Sequence, residues 1–141
     1  MFLYKSDVRS MHVLQPERMS QVLQRSGALA AQNIKESSYG VVMQVDGVIR
    51  GLLPVCCTDC HTHVLGAYSA YNSPEQAHDD VVREMLEMCI SELPMPTASA
   101  RVALSDVSVF AQCGFVVSSS SAQEAQMTFC MPTTAPARVN V

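Results

Sequence analysis

Apolar and polar positions along this chain fall into short runs whose period changes several times. Phe2 to Val8 reads as a first strand. Pro16 opens a helical stretch, at a position where a missing N–H has no partner to lose. Met19, Val22, Leu23, Leu29 and Ala30 then recur at helical spacing to about Lys35, and Gly27 predicts a break into two shorter helices. Tyr39 to Val45 and Val48 to Cys57 are apolar and rich in β-branched residues. Asp46-Gly47 between them accepts the left-handed backbone of a tight turn and predicts a hairpin. His63 to Tyr71 reads as the next strand, with Cys57 to Thr62 as the turn leading to it.

Ser73-Pro74-Glu75 has the chemistry of a helix start, with Ser73 as cap. Val81, Val82, Met85, Leu86, Cys89 and Leu93 mark one face of that helix, the charged residues mostly fall elsewhere, and Pro94 and Pro96 end it. Arg101 to Leu104 predicts a short strand. Ser105 or Asp106 caps a brief helix through Gln112, which Gly114 stops. Phe115 to Val117 and Gln126 to Met131 predict two last strands joined by a loop from Ser118 to Ala125. The order β, α, β, β, β, α, β, α, β, β places antiparallel hairpins around a strand–helix–strand centre. It predicts an α/β (α+β) fold: a mixed, mostly antiparallel sheet with helices on both faces. Residues 1–131 are expected to form one domain, and 132–141 an extended or mobile tail without pattern.

Composition narrows the function. At 141 residues the chain fits one domain, and 48% hydrophobic residues suffice for a core. The net charge is −4 and the nine Lys and Arg are scattered, which argues against nucleic acid and against an anionic membrane surface. No apolar run approaches the ~20 residues that span a bilayer. Lys5, Asp7 and Arg9 break up the N-terminus, so it lacks the apolar middle of a signal peptide. The six Cys are therefore expected as free thiols in a reducing, cytoplasmic setting.

Three local features raise a family resemblance. Val45-Asp46-Gly47-Val48-Ile49-Arg50-Gly51 has the form of a "DGxxxG" hairpin. Pro74-Glu75 stands where a central helix begins after the third hairpin strand. Val109-Phe110-Ala111-Gln112-Cys113-Gly114-Phe115 has the form of a late "FYEKLGF" segment. In this order and spacing they resemble the GNAT (GCN5-related N-acetyltransferase) superfamily over about residues 1–131.

The resemblance implies a phosphate-binding loop of the form Gln/Arg-x-x-Gly-x-Gly/Ala, whose N–H groups hold the pyrophosphate of acetyl-CoA. Its equivalent here is Glu75-Gln76-Ala77-His78-Asp79-Asp80-Val81, without glycine and with two carboxylates. If coenzyme A binds, Ala77, His78, Asp79, Asp80 and Val81 are the expected contacts; otherwise Asp79 and Asp80 simply stabilise a helix start. The resemblance also implies a Tyr as general acid in the late helix. Phe110 stands there, and a phenyl ring has no proton to give. Any acyl transfer would polarise the carbonyl with a backbone N–H of His63 to Tyr71 and admit the amine where that strand splays from Arg101 to Leu104.

Cys56, Cys57, Cys60, His61 and His63 cluster within eight residues. Cys57, Cys60 and His63 have the spacing of a partial zinc site, although no second Cys pair completes it. The plainer reading is a hairpin turn that carries thiols and imidazoles. Cys57 to His61 also spells a haem-attachment pattern, which needs export, and a Cys-x-x-Cys redox pair belongs at a helix start. His78 reads as a solvated residue at a helix start.

The primary expectation is thus a GNAT-like protein without catalytic residues that works through protein contacts, with a protein partner or a second copy of itself. Its concrete setting, by analogy of fold and size, is a bacteriophage virion or its assembly. The alternatives are a divergent acetyl-CoA-dependent N-acetyltransferase and a small zinc-binding domain, so acetyl-CoA and zinc are the two cofactors to test.

Overall fold

The computed structural model describes residues 1–58, 61–71, 75–93 and 97–130. Strand β1 (Phe2–Ser6) ends two residues earlier than its apolar pattern suggests, because Asp7 caps a helix. The Asp7 carboxylate accepts from the Ser10 N–H at 3.0 Å and from Ser10 Oγ at 2.9 Å, and α1 (Val8–Leu14) follows. Those two bonds, the backbone one first, lower the Asp7 pKa. A 3-10 turn, Pro16–Met19, leads into α2 (Ser20–Glu36), which Gly27 kinks with φ 77° and ψ −160°.

Strands β2 (Tyr39–Val45) and β3 (Val48–Thr58) form the expected hairpin; Asp46 and Gly47 both have positive φ, 52° and 79°. The predicted strand from His63 to Tyr71 is instead two pieces, β4 (His61–Val64) and β5 (Tyr68–Ser69). Helix α3 (Glu75–Ser91) packs on the sheet and β6 (Thr97–Ala103) returns. Strand β6 starts four residues before its predicted Arg101, because the small residues Ala98 and Ala100 are buried under helices where larger ones would not fit. A 3-10 turn, Leu104–Asp106, precedes α4 (Val107–Gln112), and Gly114 at φ 104° stops it. Strands β7 (Phe115–Ser120) and β8 (Glu124–Cys130) take up most of the segment read as a serine-rich loop: the backbone ladder between them outweighs the weak strand preference of serine. The predicted cap at Ser73, the helix end at Pro94 and Pro96 and the tail 132–141 lie outside the described residues.

The strands form one eight-stranded sheet in the order β1-β2-β3-β4-β6-β8-β7, with β5 continuing on β3. Only β4 and β6 pair in parallel. Successive residues alternate between faces, and so the sheet carries two cores. Val41, Leu53, Val55, Ala100, Val102 and Met127 meet α3 and α4 through Val82, Met85 and Phe110. Val42, Ile49 and Leu52 meet α1 and α2 through Val8, Val22 and Ile34.

Helix α3 sits unusually close to β3. A Cβ on Gly51 would lie 2.5 Å from Val81 Cγ1 and 3.0 Å from Met85 Sδ. Because Val81 is stiff about its own Cα–Cβ bond, Gly51→Ala should lift α3 and cost roughly 1–3 kcal/mol. Urea unfolding measures it; a variant as stable as the parent would mean that α3 slides freely on the sheet.

Candidate active site

The site begins with a proline. Val64 lies opposite Val55 and Tyr68 opposite Leu52, so Leu65, Gly66 and Ala67 face only Leu53 and Pro54. One extra residue is a β-bulge. Pro54 accepts from the Leu65 N–H at 2.9 Å but has no N–H to return, which is why the ladder slips there. Gly66 is needed at the bulge, because a Cβ would come within 2.6 Å of Tyr68 Oη.

Beyond the bulge the sheet opens. Strand β6 pairs with β4 from Thr62 opposite Ala98 to Val64 opposite Ala100. From Arg101 to Ala103 it pairs only with β8, while Tyr68 and Ser69 pair with β3. The Ala70 N–H turns to Arg50 O at 2.9 Å, and Tyr68 faces Leu52 in the same phase. By alternation the N–H group of Ser69 points the other way, into the gap.

Each face of the gap is bridged by one side chain. On the α2 face, Asn33 donates from Nδ2 to Leu65 O at 3.0 Å and to Tyr68 Oη at 2.6 Å, and accepts from Arg101 at 2.8 Å on Oδ1. On the α3 face, His78 Nδ1 lies 2.6 Å from Ser69 Oγ and Nε2 lies 2.8 Å from Asp106 Oδ1. Ser69 is fully buried and Asp106 is 5% exposed. A cavity of about 160 Å³ opens on the α2 side of the gap, lined among others by Asn33, Tyr68, Arg101, Asp106 and Glu124. Burial raises the Tyr68 pKa, and the Asp106 carboxylate adds to the shift.

The residues singled out in the sequence are placed differently. Phe110 is fully buried and packs edge-on against Phe115 with centroids 5.3 Å apart, so no proton donor stands at that position. Ala77, His78, Asp79, Asp80 and Val81 form no loop: all five lie inside α3. Only the first helical turn has N–H groups without intrahelical partners, and from Asp79 onward these groups are used within the helix. Asp80 pairs with Arg83 at 2.9 Å, and Val81 is buried over Gly51.

The structure does not bring Cys57 and His63 together. Cys57 Sγ lies 3.5 Å from Thr62 Oγ1 on one face of the sheet, whereas His63 Nδ1 lies 2.5 Å from Ser99 Oγ on the other, and Cys60 is outside the described residues. Adjacent residues of a strand point to opposite faces, which spacing in sequence does not reveal. Among the described residues one group, His78, Asp79 and Asp106, gathers three potential metal-ligand atoms, one imidazole nitrogen and two carboxylate oxygens, within 4.8 Å of one another. Both His78 nitrogens are already hydrogen-bonded, so the group is a closed row of bonds and not an open ligand set. His78 is therefore a partly buried, doubly bonded imidazole and not the solvated residue its sequence position suggests; its partners lie 9 and 28 residues away, and no local signal points to them.

No protein-family model matches the chain, and no curated protein matches its sequence. Solved structures do. The chain is similar to an aminoglycoside 6'-acetyltransferase type Ii at 12% identity, with 94% of this chain and 99% of that one covered and a TM-score of 0.69. It is similar to the ribosomal-protein-S18-alanine N-acetyltransferase from Escherichia coli at 14% identity, with 99% and 100% covered and a TM-score of 0.67. A third is the PaiA N-acetyltransferase from Thermoplasma acidophilum in complex with coenzyme A, at 12% identity, 92% and 99% covered and a TM-score of 0.51. The chain has the fold of the GNAT N-acetyltransferases. Among the described residues no helix is long and apolar enough to cross a membrane.

The open sheet face beside the cavity carries a pH-dependent group. Burial first, then the charges of Arg101 and His61, hold the His63 pKa below the ordinary 6.5. The unfolded chain thus takes up this proton more readily than the folded one, so stability is full above about pH 6.5 and is lost as pH falls through the folded value. Melting curves between about pH 7 and 5 should fall less steeply for His63→Gln than for the parent. Parallel curves would assign the acid sensitivity to other groups.

Proposed function

We propose that this chain is a divergent acyl-CoA-dependent N-acyltransferase. The observation that carries the reading is the gap between β5 and β6, into which the Ser69 N–H points, beside a cavity lined by Tyr68, Arg101 and Asp106. A thioester carbonyl suits that place: a fixed backbone donor would stabilise the negative charge that grows on its oxygen when an amine attacks. The cavity, of about 160 Å³, has room for a small amine-bearing group, with Asp106 and Glu124 to receive its positive charge. That the similar structures are described as N-acetyltransferases, one of them with coenzyme A, supports the same reading over the virion setting expected from the sequence.

The phosphate end fits less well. The first turn of α3 offers free N–H groups, but Asp79 one turn further brings a carboxylate, while the charge of Asp80 is compensated by Arg83. Weak binding of the nucleotide end is the consequence. A second reading, a non-catalytic module that works through protein contacts, is favoured by Phe110, which puts an apolar ring where the resemblance implies an acid.

Melting with and without millimolar acetyl-CoA, followed by calorimetry, separates the two. At about 100 times its dissociation constant the ligand should add about 2.7 kcal/mol and raise the midpoint by several degrees. A shift accompanied by acetylation of primary amines establishes the enzyme. No shift at any concentration leaves the binding module.

A further inference from the structure

We propose that the hydrogen-bonded row Asp106–His78–Ser69 is the proton donor of the transfer, taking the place of the side chain that Phe110 lacks. The inference rests on the acyltransferase reading and names the residues that would complete it. Asp106 lies four residues before Phe110, one helical turn, and His78 reaches it from α3. Ser69 belongs to the strand whose N–H faces the gap, and its Oγ, three bonds from that nitrogen, lies on the α3 face beside it.

The order of bonds fixes the direction of proton flow. Ionised Asp106 only accepts, so the proton on Nε2 belongs to that bond. In the neutral ring Nδ1 then accepts from Ser69 Oγ; in the protonated ring Nδ1 donates to it. As the amine nitrogen bonds to the carbonyl carbon and the carbon–sulfur bond breaks, the sulfur takes the Ser69 proton. The proton shed by the new amide nitrogen reaches Nδ1 through water and passes from there to Ser69 Oγ, which restores the neutral Nε2–H ring. The charged or titratable neighbours of the row are Asp106 on the 3-10 turn, Asp79 on α3 and Tyr68 on β5. The Tyr71 N–H, 3.3 Å from Ser69 Oγ, steadies the hydroxyl.

The test uses the full chain, acetyl-CoA and three amine probes, lysine, glycinamide and spermidine, with loss of thioester absorbance as the readout because the free cysteines would consume a thiol reagent. His78→Gln keeps two hydrogen-bonding atoms but carries no proton to give. It should lower kcat by roughly 10²–10⁴-fold. It should also change the shape of the kcat–pH profile, with calorimetric acetyl-CoA affinity measured in parallel. Nitrogen NMR of the imidazole in the parent should show the Nε2–H tautomer whether or not any amine is accepted. If His78→Gln does not fold, Ser69→Ala is expected to give the same loss.

Parent-like kcat in either variant, an Nδ1–H tautomer, or a stable acetyl adduct on Ser69 overturns this role while the acyltransferase reading stands. Failure of the parent to bind acetyl-CoA overturns both.

Discussion

Everything specific to this molecule depends on a sheet that is not allowed to close. A sheet normally satisfies its backbone by pairing every strand, and an interior opening exposes donors and acceptors that cost free energy if they find no partner. Here the opening is set by one missing N–H, at Pro54, and one extra residue in the strand opposite. Left alone, the two arms would be free to drift together or apart. Asn33 and His78 prevent both: Asn33 bonds to Tyr68 of β5 and Arg101 of β6, and His78 to Ser69 of β5 and to Asp106 on the 3-10 turn that follows β6.

The braces hold only because the helices that carry them are fixed. Ile34 is fully buried beside Asn33 in the core under α2, and a Cβ on Gly40 would strike Val8 at 2.7 Å, so the α1–α2 layer has no slack. Helix α3 is clamped by Val82, Met85 and Leu86 against the sheet. Arg83 extends the clamp sideways, from Asp80 on its own helix to Gln112 on α4 at 2.9 Å. The exposed ion pair adds little stability by itself, but it orients the Arg83 guanidinium, whose bond to Gln112 ties α3, which carries His78, to α4, which follows directly on Asp106.

What the sequence revealed was local chemistry. The Asp46-Gly47 turn, the kink at Gly27 and the stop at Gly114 each follow from a backbone angle that few residues adopt, and all three are where the residues put them. Phe110 was legible for a similar reason, as one position in a short segment. Of the strand Thr97–Ala103 only the end, from Arg101, was legible; its first half was hidden because Ala98 and Ala100, buried in the core, carry no strand preference. The Cys–His cluster looked like one site because neighbours in sequence look like neighbours in space, whereas pleating sends Cys57 and His63 to opposite faces. Ser69, His78 and Asp106 could not be found at all, since their association is made only by the fold.

The two braces also differ in what they can do. Asn33 is 2% exposed, uses both amide hydrogens and its oxygen, and has no proton to exchange; it can only hold. His78 stands between a hydroxyl that can give or take a proton and a carboxylate that, ionised, can only accept one. A change of protonation on this imidazole reverses one of its two bonds and keeps both, so the arms stay in place while a proton moves. One face of the gap is thus held by a group with fixed donors and acceptor, and the other by a ring whose nitrogens can exchange those roles without losing either partner.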